Sequence, residues 1–201
     1  MNLQNKLTVI RILLVPVMVI IPFLGIESTI FNIPVSYIIM DIIFIIASLT
    51  DKLDGYIARS RNQVTNFGKF LDPIADKILV LAAMLILVER GNLPAWIPII
   101  VLTREFAVSA YRLIAVEQGG KVIAASIWGK LKTATQMVAI ALAFIDINGT
   151  NTFFNFVGGG LTGVELWINI LTSVLLTISI IATIFSGWDY IKGGKELLKD
   201  R

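Results

Sequence analysis

Hydrophobic residues fall along this chain in six long blocks, separated by shorter polar or glycine-bearing stretches. The blocks are residues 7–24, 33–50, 70–88, 95–116, 127–147 and 165–191. A helix crosses a hydrocarbon layer of ~30 Å with about 20 residues, and each block is near that length. In lipid the backbone must satisfy its own polar groups, so such blocks predict helices. The expected fold is therefore all-α: a polytopic membrane protein of six transmembrane helices, one domain over residues 1–201. The first block is followed by GIESTIF, without a small-residue cleavage pattern, so it reads as a span and not a removed signal. No soluble domain, low-complexity tract or repeat is expected.

Composition narrows the class further. The 201 residues are 56% hydrophobic, with a mean hydropathy of +0.83, which is membrane-like. There is no cysteine, which excludes disulfides and thiolate metal sites. There is no histidine, which excludes His-Asp-Ser triads, His-ligated zinc and a histidine nucleophile. The net charge of +3 is modest, and no nucleic-acid partner is expected. Its distribution is uneven. Lys6, Arg11, Lys52, Arg59, Arg61, Lys69, Lys121, Lys130 and the basic tail fall on one side of the alternating spans. Loops on the other side carry only Arg90. The positive-inside rule then makes both termini cytoplasmic.

The charges inside or beside the blocks are the candidate chemistry, because charge at membrane depth is costly and tends to be functional. The densest group is DKLDGYIARSRNQVTNFGKFLDPIAD, residues 51–76. Asp51 and Asp54 are three apart, and Asp72 and Asp76 four apart, so each pair shares a helix face. All-oxygen ligands suit Mg²⁺, Mn²⁺ or Ca²⁺. Four carboxylates balance two divalent ions, and paired ions can clamp the two oxygens of a phosphoryl displacement. Pro73 leaves two readings open: Asp72 caps a helix that starts there, or the proline sits within a continuing helix. Asp41 lies mid-block and should face the bundle interior with a polar partner. Arg104 needs a counter-charge, Asp41 or Glu105 being the candidates, or else a phosphate.

The stretch reads D-x-x-D-G-x-x-A-R-x8-G-x-x-x-D-x-x-x-D. It resembles the signature of the CDP-alcohol phosphotransferase family of integral membrane enzymes, whose six-helix pattern would cover almost the whole chain. The resemblance implies transfer of a phosphatidyl group from CDP-diacylglycerol to an alcohol, with release of CMP. It implies that Asp51, Asp54 and Asp72 bind metal, and that Asp76 is the general base and touches metal as well. The implied cofactors are two divalent metal ions, Mg²⁺ or Mn²⁺, and the implied assembly is a homodimer. CDP-diacylglycerol would meet Gly55, Ala58, Arg59, Thr65 and Gly68. Asn5, Thr8 and Arg11, spaced by three on one helix face, match a family N-x-x-T-x-x-R that faces the nucleotide lipid; read without the family they are an N-cap and a membrane anchor. The active site would lie at the cytoplasmic helix ends, where lipid tails keep their hydrocarbon and the headgroup its water.

Four further cations, Arg104, Arg112, Lys130 and Lys132, lie on two consecutive blocks and are candidates for the phosphate of an anionic acceptor. TREF at 103–106 and GKLKTATQ at 129–136 resemble the bacterial phosphatidylglycerophosphate synthase branch, which implies glycerol 3-phosphate. A phosphatidylinositol-phosphate synthase would need the same cations, and a cardiolipin- or phosphatidylserine-forming relative is a third reading. Outside the family, a metal-ion transporter would also use intramembrane carboxylates. Its acidic residues would be spread through the depth of the membrane, whereas here they gather at one face.

Overall fold

A computed structural model describes residues 3–60, 66–117, 127–146, 153–158 and 160–193. Among these, residues 3, 4, 51–60, 66–70, 116, 117, 155, 191 and 193 are described by backbone course alone. Six α-helices carry the described chain: α1 Leu3–Ile20, α2 Val35–Ser60, α3 Asn66–Glu89, α4 Trp96–Glu117, α5 Ile127–Ile145 and α6 Gly163–Gly193. They follow the six apolar blocks. The largest departure is α2, which runs past its apolar block through Asp51 and Asp54 to Ser60.

Local chemistry explains the ends. A 3₁₀ turn, Ile21–Leu24, with Pro22 near its start, continues α1 and stops at Gly25 in the left-handed region (φ 63°). A small hairpin follows, pairing Thr29 with Pro34 and Ile30 with Ile33. Its two turn residues, Phe31 and Asn32, both have positive φ, as a tight two-residue turn requires. The block pattern did not predict this hairpin, because two-residue strands leave no periodicity to read. At the end of α3 the Asn92 N–H reaches the Leu87 carbonyl and the Gly91 N–H reaches Val88, with Gly91 at φ 77°. That is a Schellman cap, which turns the chain into α4.

Pro73 lies inside α3, seven residues after the helix begins. Asp72 is therefore not an N-cap, and its side chain is available for tertiary contacts. The helix tolerates the missing N–H, as membrane helices often do.

The helices pack with α1 against α3 and α2, α5 against α6 and α2, and α4 against α6. Met18, Met40, Phe44, Leu79, Leu87, Ile140 and Phe144 form the buried centre. Large apolar side chains also point outward on every helix, among them Leu13, Ile46, Leu85, Ile99, Val138 and Ile184. A helix bundle that is apolar inside and out suits a lipid surround. Among the described residues two helices, over Asn5–Leu24 and Gly163–Tyr190, are long and apolar enough to cross a bilayer, and most of their residues are not buried within the bundle.

Candidate active site

The polar stripe of α1 is built into the bundle. Asn5, Thr8 and Arg11 are 7%, 0% and 1% exposed. Thr8 Oγ1 donates to Asp72 Oδ1 at 2.5 Å, across to α3. Arg11 Nε donates to the Ala47 carbonyl at 3.3 Å, one turn of α2 before Asp51. The stripe thus ties together the two helices that carry the aspartate signature. An N-cap and surface anchor would have left these residues at the edge, so that reading is set aside.

Asp72 and Asp76 stand one turn apart on α3, each part-buried. Asp51, Asp54, Gly55, Ala58 and Arg59 lie on α2 and Gly68 on α3, all with backbone alone described. Thr65 lies outside the described residues. Among the described residues no three acidic side chains assemble as a metal group, and Asp72 and Asp76 are the described half of the predicted set.

Beside Asp76 opens a cavity of about 610 Å³ between α3, α4, α5 and α6. Asp76, Arg104, Arg112, Lys130 and Lys132 all line it, so the proposed base and the four proposed acceptor cations share one space. Their charges are not equally committed. Glu105 gathers three cations: its Oε1 accepts from Arg104 Nη1 at 2.8 Å and from Lys132 Nζ, and its Oε2 lies 4.0 Å from Lys77 Nζ. Arg104 also donates through Nη2 to Ser186 Oγ on α6. Lys77 donates to Ser109 Oγ at 2.5 Å. Lys132 is buried, and a buried ammonium needs such an anion beside it.

Arg112 and Lys130 differ from that group. Arg112 Nη2 donates to the Tyr190 hydroxyl at 2.8 Å, a neutral partner. Lys130 is exposed and meets no carboxylate among the described residues. These two cations keep net positive charge at the cavity wall. The four-cation expectation is thus divided: Arg104 and Lys132 are matched by Glu105, and Arg112 and Lys130 are not.

Of the two counter-charges expected for Arg104, the fold uses its neighbour Glu105 and not Asp41. Asp41 is buried as expected, but its Oδ1 has no hydrogen-bond partner among the described residues. Tyr190 and Gln136 line the cavity and Ser186 accepts from Arg104, and none of the three was singled out from sequence.

A family model described as CDP-alcohol phosphatidyltransferase matches residues 1–185. The chain belongs to that family. A protein of Bacillus subtilis (strain 168) named CDP-diacylglycerol–glycerol-3-phosphate 3-phosphatidyltransferase is 42% identical, over 98% of this chain and 97% of its own length. A Haemophilus influenzae protein of the same name is 39% identical over 99% of this chain and 96% of its own. A Mycobacterium tuberculosis protein named probable phosphatidylglycerophosphate synthase is 35% identical over 94% of this chain and 80% of its own.

CDP-alcohol phosphatidyltransferases generally use divalent metal ions. The described donors fit such an ion. Asp72 and Asp76 offer carboxylate oxygen alone, the chemistry that hard cations prefer. The Thr8 hydroxyl fixes the orientation of Asp72 from behind, the outer support a ligating carboxylate needs.

Proposed function

We propose that this chain transfers the phosphatidyl group of CDP-diacylglycerol to glycerol 3-phosphate, giving phosphatidylglycerophosphate and CMP. The observation that carries the reading is the shared cavity. A carboxylate, Asp76, and two cations without a carboxylate partner among the described residues, Arg112 and Lys130, line the same 610 Å³ space. An acceptor that must lose a proton at one end and hold a phosphate at the other fits that pattern. The names of the relatives at 42% and 39% identity support the same donor and acceptor.

In this reading Arg112 and Lys130 hold the acceptor's phosphate, with the guanidinium adding a directed contact that an ammonium lacks. Arg104 and Lys132, tied to Glu105, shape the wall and add long-range positive potential. Asp76 accepts the proton of the acceptor hydroxyl. With no histidine in the chain, a carboxylate is the available base. The hydroxyl oxygen bonds to the phosphatidyl phosphorus, the phosphorus–oxygen bond to CMP breaks, and the proton passes from Asp76 to solvent. Asp51, Asp54, Asp72 and Asp76 would hold two divalent ions, Mg²⁺ or Mn²⁺, which when bound neutralise charge on the pyrophosphate and on departing CMP. Asn5, Thr8, Arg11, Gly55, Ala58, Arg59, Thr65 and Gly68 would border the nucleotide lipid. Thr8 and Arg11 would do so while bracing α2 and α3.

The proposed setting is a cell membrane crossed six times by one domain, residues 1–201, with both termini and the site cytoplasmic, in a homodimer. Lys and Arg asymmetry supports the orientation. The outward apolar residues on all six helices support the six spans. The other four helices carry the site's charges and still present large apolar residues outward.

The test is an assay of detergent-purified protein with CDP-diacylglycerol and a panel of acceptors. The expected result is metal-dependent CMP release with glycerol 3-phosphate and little with inositol 1-phosphate, serine or phosphatidylglycerol. Preference for inositol phosphate would overturn the acceptor assignment. Absence of CMP release with any acceptor would overturn the reaction.

A further inference from the structure

Arg104 and Arg112 lie eight residues apart on one face of α4, and both reach a single ring on α6. The Arg104 guanidinium carbon stands 5.7 Å from the centroid of Tyr190 and that of Arg112 stands 5.6 Å from it. Tyr190 is 2% exposed, yet it lines the cavity with Asp76 and Lys130. A buried ring holding two guanidinium groups is an arrangement that packing alone does not require, because the like charges repel. Arg104 is reconciled by Glu105, whereas Arg112 has the Tyr190 hydroxyl, which accepts from its Nη2 at 2.8 Å.

A long arginine side chain binds an anion well only if its planar fork is already aimed. The hydrogen bond from Nη2 to the ring's hydroxyl anchors one corner of the guanidinium beside the hydroxyl edge of the ring. The other donors of the fork then face a defined direction. Because the hydroxyl accepts from Arg112, its own proton remains for a second partner, and an anion at the cavity wall would provide one.

We propose that Tyr190 is a positioning residue for the acceptor: it aims the Arg112 guanidinium and so sets how tightly the acceptor's phosphate is held. The proposal rests on the reading that the acceptor is phosphorylated. Phenylalanine at 190 keeps the ring and loses the hydroxyl, so it isolates the hydrogen bond to Arg112.

The experiment compares wild type, Tyr190→Phe, Arg112→Ala and the double variant in the purified enzyme. Tyr190→Phe should raise the KM for glycerol 3-phosphate roughly tenfold, the value of a hydrogen bond to a charged group. The KM for CDP-diacylglycerol and the thermal midpoint should stay near wild type. In the Arg112→Ala background the same change should add nothing, a non-additive cycle. An unchanged acceptor KM in Tyr190→Phe overturns the proposal. So does an effect that persists in full without Arg112, or one that raises both KM values together with a lowered midpoint, as general loosening would. The acceptor panel is read separately. A wild type that turns over only acceptors without a phosphate defeats the phosphorylated-acceptor reading itself, and the Tyr190 proposal with it. A wild type that prefers glycerol 3-phosphate while Tyr190→Phe is silent defeats the Tyr190 proposal alone.

Discussion

Two polar clusters lie toward opposite ends of the bundle and place their charges differently. One surrounds Glu105 at the cavity. The other joins Asn92, Asp146 and Asn169 beyond the far ends of α3 and α5. Along the chain of α5, Lys132 and Asp146 are about 14 residues apart, or ~21 Å of helix. In the far cluster Asn169 Nδ2 donates to Asp146 Oδ2 at 2.9 Å, and its Oδ1 accepts the Phe156 N–H at 2.9 Å. Asn92 Nδ2 donates to the Asp146 and Ala143 carbonyls at 3.1 and 3.4 Å. There one neutral amide, Asn169, donates to the Asp146 carboxylate, and another, Asn92, donates to backbone carbonyls. At the cavity one glutamate faces three cations, and Arg112 and Lys130 add two more positive charges with no carboxylate partner among the described residues. The first pattern closes on itself and holds elements together. The second leaves charge directed at a space, which is what an anion-binding site requires. The far cluster is buried and the cavity cluster is part-buried; the balance of charge tells structure from function.

The sharpest way to break this contrast is at the carboxylates. Asp76→Asn should lower kcat by about 10²–10⁴-fold, the usual worth of a general base. Asp72→Asn, Asp51→Asn and Asp54→Asn should be similarly damaging, with EDTA abolishing turnover and Mg²⁺ or Mn²⁺ restoring it. Each variant should still elute as a folded species in detergent. Retention of near wild-type kcat in excess chelator would remove the metal-assisted reading.

Next in size are the cavity cations. Arg112→Ala and Lys130→Ala should each raise the acceptor KM by roughly 10- to 100-fold, as loss of a charge-assisted contact does. The KM for CDP-diacylglycerol should hold. If both KM values stay normal, these residues are interface cations and the contrast fails on its functional side.

The far cluster should respond in the opposite currency. Asn169→Ala leaves Asp146 and the Phe156 N–H without their partner, at a cost of about 1–3 kcal/mol. The thermal midpoint should fall by several degrees while the acceptor KM is unchanged. A selective rise in KM with an unaltered midpoint would show that this end is not merely structural.

The smallest effect on turnover is expected from a topology probe. The chain has no cysteine, so single cysteines report cleanly. Val157→Cys, beside the far cluster and exposed, should react with an impermeant thiol reagent in intact cells. Lys192→Cys, two residues after Tyr190 and exposed, should be protected until the membrane is opened. The reverse labelling would move the cavity to the outer face.

The sequence by itself determined the number and rough extent of the helices, because an apolar block is a local pattern. The block 95–116 against α4 Trp96–Glu117, and 127–147 against α5 Ile127–Ile145, differ only at their ends. The aspartate signature was legible for the same reason: its spacing lies within two helices. Which helix faces meet is another matter, because the partners lie far apart in the chain and no local rule couples them. Thr8 finds Asp72 64 residues away, Arg112 finds Tyr190 78 away, and Arg104 finds Ser186 82 away. Sequence left Arg104 between Asp41 and Glu105, and packing chose Glu105. It left Pro73 between a cap and a helix interior, and an earlier helix start at Asn66 decided for the interior. It grouped four cations as equals. The fold divided them, because one glutamate on α4 reaches Arg104 and Lys132 and leaves Arg112 and Lys130 to the cavity.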